Sequence, residues 1–308
     1  MFSGHVLSLL APGQGSQTPG MLTEWLTEPG ATARVAAWSD ATGLDLVRLG
    51  TTAGADEITD TAVTQPLVVA AALLSYSRLR EQHGELPAGT VVAGHSVGEL
   101  AAAAIAGVIT DDEAVRLAAV RGAEMAKACA LVPTTMAAVL GGDEDAVLAK
   151  LDEYDLVPAN RNATGQIVAA GTVESIDKLV DNPPEKARVR KIAVAGAFHT
   201  HFMAPAQEAV AAAAAQITPR DPQITLLSNS DGAAVTTGAD ALARLVAQVT
   251  SPVRWDLCIA TLRAGDTDAI VELAPAGTLV GIAKRELKGV PSRAVKVPGD
   301  LEDLPGLG

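Results

Sequence analysis

VVAGHSVGEL, residues 91–100, places Ser96 between Gly94 and Gly98, after an apolar run and before four consecutive alanines at 101–104. Val91, Val92 and Ala93 suit a buried strand, and Val97 to Ala106 suit a helix closed by Gly107. A strand, a sharp turn and a helix are what a G-x-S-x-G nucleophile motif needs. The turn holds its serine in a strained backbone conformation, and small flanking residues let strand and helix approach. The pattern alone is weak: twelve serines and 28 glycines give about a one-in-ten chance of a random match. The flanking strand and helix carry more weight. They put Ser96 at a helix N-terminus, where the Val97 N–H can donate to an oxyanion. The plain alternative is a serine in an ordinary strand-to-helix turn.

Upstream, HVLSLLA (residues 5–11) reads as a buried strand feeding the glycine-rich loop PGQGSQTPG. That loop lacks the G-K-[ST] of a phosphate-binding P-loop, and Thr18 stands where a dinucleotide fingerprint expects glycine. It could present a backbone N–H to an oxyanion or be a turn with no further role. A helix is expected over Val63 to Arg80, apolar around most of its circumference. Thr110 and Glu113 form a capping-box pattern that opens another helix over Asp111 to Ala128. From about Leu131 to Val194 the texture becomes strand, helix, strand, strand, helix, strand, which suits a small inserted ferredoxin-like α+β unit. ITLLSN (224–229) and DAIVEL (268–273) then resume buried-strand texture, and VPGDLEDLPGLG (297–308) reads as a loose tail.

The 308 residues are 48% apolar, enough for a sizeable core. A net charge of −13 repels nucleic acid and anionic membranes. An anionic partner must therefore find a local basic patch: Arg188, Arg190 and Lys191, or Lys284, Arg285 and Lys288, unless these are simply solvated faces. Cys129 and Cys258 are isolated and read as small buried hydrophobes. No uninterrupted apolar run reaches the ~18 residues of a membrane span, and the N-terminus lacks signal-peptide features, so a cytoplasmic protein is expected.

A serine nucleophile needs a base, and the chain has five histidines. His5 is near the terminus and His83 falls in a polar loop. His95 adjoins Ser96, and strand neighbours point to opposite faces. That leaves GAFHTHF (196–202), where His199 and His201 share a face if the segment is extended. Such a pair could ligate metal, but with no further histidine or cysteine nearby none is expected. About a third of the chain lies beyond His201, unlike lipase-type hydrolases, which keep their histidine near the C-terminus. On the 111–128 helix, Arg121 shares a face with Ala114, Leu117, Ala118, Met125 and Ala128. A guanidinium there needs an anion. Glu124 is one option and snorkelling to the surface another; the third is a clamp for a substrate carboxylate.

PGQGSQ (12–17), GHSVGE (94–99), AVRLAAVRGAEM (114–125), GAFHT (196–200) and QVTSPVRW (248–255) occur in one order along the chain. With them the sequence resembles the malonyl-CoA:acyl-carrier-protein transacylases, above all the discrete enzymes of type II fatty acid synthesis in high-GC Gram-positive bacteria. The resemblance implies an α/β fold: an α/β-hydrolase-like large subdomain with a short parallel sheet (1–130 and 196–308) and a ferredoxin-like small subdomain (131–195). It implies Ser96 as nucleophile and His199 as base and acid, oriented by the Gln248 backbone carbonyl without a triad aspartate. The N–H groups of Gln14 and Val97 would form the oxyanion hole, and Arg121 would hold the malonyl carboxylate. Asn160 and Asn162 would border the cleft, His95 would be a secondary contact, and His201 has no catalytic part. In related domains Ala-Phe-His goes with malonyl and Ala-Ser-His with methylmalonyl, so Phe198 implies malonyl. Departures are small: Val97 varies within GHSVGE, and Ser251 stands where asparagine is usual.

The implied reaction is ping-pong acyl transfer, with malonyl-CoA and acyl carrier protein as partners and no cofactor, the coenzyme A thioester being a substrate. A monomer is expected, with no nucleic-acid or membrane partner. The rival readings are an acyltransferase serving a polyketide synthase, a serine acyl-ester hydrolase and a non-catalytic binding module.

Overall fold

Two sheets organise the described residues, 6–194 and 196–307, of this computed structural model. In chain order the strands are β1 (Leu7–Ala11), β2 (Val91–Gly94), β3 (Thr134–Gly141), β4 (Val157–Ala163), β5 (Gln166–Thr172), β6 (Ala187–Ile192), β7 (Thr225–Leu227), β8 (Ala234–Val235), β9 (Val253–Arg254), β10 (Ala269–Glu272) and β11 (Ser292–Ala294). The first sheet runs β11-β10-β1-β2-β7-β8. Its members are parallel except for the last pair, β7 with β8. Helices cover both faces, so β1 and β10 are buried along their whole length. This is why LSLLA and AIVE read as continuous rather than alternating apolar runs.

The core helix Thr61–His83 packs on the helix Asp111–Cys129. Gly122 permits the approach, since a Cβ there would lie 2.6 Å from the Thr61 carbonyl oxygen. Arg121 is thereby brought against Gln65. The Thr61–His83 helix is long and apolar enough to cross a membrane by length and composition, but 72% of its apolar window is buried inside the protein.

The second sheet runs β6-β3-β5-β4-β9. Its first four strands are antiparallel. The helices Glu144–Glu153 and Val173–Asp181 cover it, packing Val147, Leu151, Ile176 and Leu179 against Ala137, Val139, Ile167 and Ala169. This is the ferredoxin-like arrangement. The fifth strand comes from far down the chain: β9 pairs in parallel with β4 through Asn160–Val253 and Arg161–Arg254. A two-residue strand carries no sequence periodicity, and nothing in SPVRW announces it.

The C-terminal segment is not a loose tail. A 3-10 turn at Pro298–Leu301 buries Leu301, and Leu304 follows it into the core. Leu301 and Leu304 are the two leucines that an otherwise loop-like sequence buries, and their burial outweighs the turn signals around them. His83 lies at the end of the core helix rather than in a polar loop, and its Nε2 is 2.7 Å from the Leu301 carbonyl oxygen.

Candidate active site

The turn at Ser96 depends on close approach. A Cβ at Gly94 would collide with the Gly98 carbonyl, and one at Gly98 with the Ala11 carbonyl of the neighbouring strand. Two glycines thus let β2, β1 and the helix Gly98–Ile105 meet at one point. Ser96 itself has φ +53°, a left-handed conformation unfavourable for a residue with a Cβ. Asn229 fixes it: its Oδ1 accepts from the Ser96 N–H at 2.8 Å, and its Nδ2 donates to the Gly94 carbonyl at 2.7 Å.

His199 reaches the serine from the connection after β6. It too is left-handed, with φ +61°. The Ser96 hydroxyl lies 2.7 Å from His199 Nε2, and His199 Nδ1 lies 2.9 Å from the Gln248 carbonyl oxygen. A carbonyl only accepts, so Nδ1 carries the proton and Nε2 is left to accept from the serine. Burial and then the charge of Arg121 lower the His199 pKa to about 3, against the opposing Gln248 hydrogen bond. The imidazole is a neutral acceptor at physiological pH.

Arg121 is 2% exposed. Its guanidinium donates to Gln65 Oε1 at 2.7 Å and Gln248 Oε1 at 2.9 Å, and lies 3.4 Å from Ser96 Oγ. Glu124 is not its partner and pairs with Lys127 instead. Arg121 thus sits beside the serine, directly bonded to neutral amide oxygens, and burial lowers its pKa to about 10. It is charged and has room for a ligand's carboxylate. A cavity of about 190 Å³ opens over these groups. Gln14, Val97, His95, Asn160, Asn162 and Phe198 all line it, so each residue expected at the site borders it except Gln248, which is bonded from behind. Met136, Val168 and Ile192 of the antiparallel sheet, with Val194 just beyond β6, supply an apolar wall.

The sequence profile of the acyl transferase domain matches residues 9–301. The chain belongs to the acyl transferase domain family. The malonyl CoA-acyl carrier protein transacylase of Mycobacterium tuberculosis is 64% identical over 302 residues, spanning 98% of this chain and 100% of that protein. The crystal structure of MCAT from the same organism superposes with a TM-score of 0.94 at 64% identity, covering 97% of this chain and 99% of that one. A solved complex of a type II polyketide synthase acyl-carrier protein with its malonyl-transacylase gives a TM-score of 0.89 at 29% identity, covering 96% and 97%. The resemblance carried by the five motifs is borne out across the chain.

Two readings of the histidines change. His95 and Ser96 do not face opposite ways: β2 ends at Gly94, the chain turns, and both side chains reach the cavity. His95 Nε2 lies 2.8 Å from Asn162 Oδ1, a bridge between the two sheets, and its ring meets Trp255 edge-on at 5.5 Å. The GAFHTHF segment is not extended, so His199 and His201 do not share a face; His201 opens the 3-10 turn His201–Met203, exposed and against Phe202. No cluster of three potential metal ligands occurs among the described residues, and His5 lies outside them.

Two buried site residues, Gln65 and Asn229, lie outside every motif, and a third, Glu99, closes GHSVGE without having been given a role. Gln65 and Glu99 are polar interruptions in apolar helices, which was a usable signal. Asn229, at the end of LLSN, becomes significant only once the fold sets it against the Ser96 turn.

Proposed function

We propose that this enzyme transfers the malonyl group of malonyl-CoA to the phosphopantetheine thiol of acyl carrier protein through a malonyl-Ser96 intermediate, supplying fatty acid synthesis. One observation carries the reading: a charged, buried guanidinium 3.4 Å from the nucleophile that is bonded to His199. A hydrolase of neutral esters has no use for that charge, whereas a malonyl ester places a carboxylate within its reach.

The steps follow from the geometry. Ser96 Oγ attacks the thioester carbonyl while its proton passes to His199 Nε2, and the Gln248 carbonyl stabilises the imidazolium through Nδ1–H. The N–H groups of Gln14 and Val97 serve the oxyanion. Collapse expels the coenzyme A sulfur, which takes the proton from His199. The carrier thiol then attacks the malonyl ester, giving its proton to His199, and the serine leaves reprotonated. Arg121 holds the acyl group between the two halves. Its charge depresses His199 in the free enzyme; a bound carboxylate offsets that charge and makes the histidine a stronger base when substrate is present. The apolar wall from Met136 to Val194 disfavours water as acceptor. No step calls for a cofactor. The site is complete within one chain, which is what a monomer requires.

Intact-mass spectrometry after brief incubation with malonyl-CoA tests this. Wild type gains a malonyl adduct that carrier protein discharges faster than water does. No adduct, or an equal one on Ser96→Ala, overturns the mechanism; rapid release to water without carrier makes the enzyme a hydrolase. A polyketide acyltransferase would use the same residues, and competition between purified carrier proteins separates the two.

A further inference from the structure

Glu99 is 4% exposed and takes no part in the steps above. It stands in the first turn of the helix Gly98–Ile105. Its Oε1 accepts from the Asn229 backbone N–H at 2.8 Å, and its Oε2 accepts from Gln248 Nε2. A side-chain amide has two orientations, and here three acceptors choose one. Gln248 Nε2 is held by Glu99, by Asn229 Oδ1 at 3.1 Å and by the Ser96 carbonyl at 3.2 Å, which turns Oε1 toward Arg121. We propose that Glu99 is a positioning residue for the carboxylate clamp: it locks the Gln248 amide and sets its own negative charge behind it, keeping Arg121 aimed at the acyl group. This rests on the reading of Arg121 as the malonyl clamp.

The arrangement solves a problem of competition. A buried guanidinium needs an opposite charge, but a carboxylate bonded directly to it would occupy the donors that the substrate requires. Placing the carboxylate one amide away offsets the charge and leaves the guanidinium available. Burial pushes the Glu99 pKa up to about 7, opposed by its hydrogen bonds and by the charge of Arg121; both its oxygens accept N–H bonds, so this geometry is that of the ionised carboxylate. Gln248 also orients His199, but through its backbone carbonyl. A disturbed Gln248 side chain therefore acts first on the clamp: His199 keeps its backbone acceptor, and the Ser96 turn loses only the 3.2 Å bond to its carbonyl while Asn229 still holds its N–H.

Glu99→Gln separates the two. A glutamine has one acceptor where two donors converge. If it keeps the Asn229 N–H, its own NH₂ meets Gln248 Nε2 and favours the flipped amide, which turns a donor toward Arg121. The rate of Ser96 malonylation by malonyl-CoA is expected to fall about 10- to 100-fold, while acetylation by p-nitrophenyl acetate stays within about 3-fold. A merely structural role lowers both alike, so an unchanged ratio overturns the proposal. Should near-UV circular dichroism show E99Q unfolded, Glu99→Asp, shorter by one methylene, is measured instead: a lowered malonyl-to-acetyl ratio supports the proposal and a wild-type ratio overturns it. Arg121→Ala run in parallel distinguishes the layers. If it is selective against malonyl and the Glu99 variants are not, only the role of Glu99 fails; if it loses both acyl groups equally, the clamp reading falls and this inference with it.

Discussion

Across the cleft the parallel sheet presents Ser96 and its buried network, while the antiparallel sheet presents Met136, Val168 and Ile192, joined by Val194 just beyond β6, with two asparagines. On the first side several polar groups make more than one hydrogen bond, so that each fixes the next. Asn229 grips the turn on both sides of His95, Gln248 serves His199 and Arg121 with different atoms, and Glu99 ties Asn229 to Gln248. That redundancy is what lets two residues with side chains stay at positive φ. On the second side the contacts are mostly apolar, and His95 to Asn162 is a polar link between the two. The contrast separates two tasks. Charge development requires preorganised donors and acceptors, whereas shaping a channel for a flexible thiol arm requires surface and dryness.

If that division holds, damage to the first side should be severe and chemically specific. Ser96→Ala should abolish the acyl-enzyme and lower transfer by at least ~10³-fold, read as loss of the malonyl adduct by mass spectrometry. Arg121→Ala should lower malonyl loading about 100-fold, because the ester's carboxylate is then left without its charge partner, while acetyl loading persists or rises. Equal losses would make Arg121 structural and erase the distinction between clamp and reactive pair.

The same division explains what the sequence disclosed. Ser96, Gly94 and Gly98 were legible because a strand-to-helix turn needs small residues at fixed spacing, and Arg121 because a charge on an apolar stripe breaks a period. Of the parallel sheet, β1, β2, β7 and β10 were legible as short apolar runs, whereas the edge strand β11, SRA, was not. Illegible were features created by the meeting of distant segments. Asn229 and β9 acquire their roles only when the chain folds back on the Ser96 turn and on β4. The C-terminal segment looked unstructured because its glycines and prolines outnumber Leu301 and Leu304, yet burial of those two leucines decides its position. His95 was misdirected by an alternation rule that stops applying where β2 ends.

Acidity offers a finer probe of the first side. Because His199 is held below its ordinary value, its base form survives to lower pH than a free imidazole's, and the acid limb of Ser96 acetylation should lie below about 6.5. Stability follows the same sign: the unfolded chain takes up a proton that the folded one refuses, so this group destabilises the fold as pH drops from 6.5 toward about 3. Removing the Arg121 charge removes the second cause of the depression. In Arg121→Ala the acid limb of acetylation should move to higher pH. A limb that stays put would show that the Arg121 charge is not a cause of the depression and uncouple the clamp from the base.

The second side should yield smaller, non-chemical effects. Asn162→Ala breaks the His95 bridge but touches neither Ser96 nor Arg121; a several-fold rise in KM with kcat little changed is expected. A loss of kcat as deep as that of Arg121→Ala would show that the antiparallel sheet takes part in the chemistry. The outermost part of that sheet is weaker still. Its edge strand β6 exposes Arg188 and Arg190, and Lys191 pairs with Asp177. On a chain of net charge −13 such a patch is where an anionic partner would land, but exposed charges are screened and each contributes under about 1 kcal/mol. Reversing all three should raise KM for carrier protein about 3- to 10-fold, with the difference shrinking as salt is added, and leave malonyl loading from coenzyme A untouched. A salt-independent change, or one shared by both half-reactions, would mean that β6 supports the small sheet and does not receive the carrier.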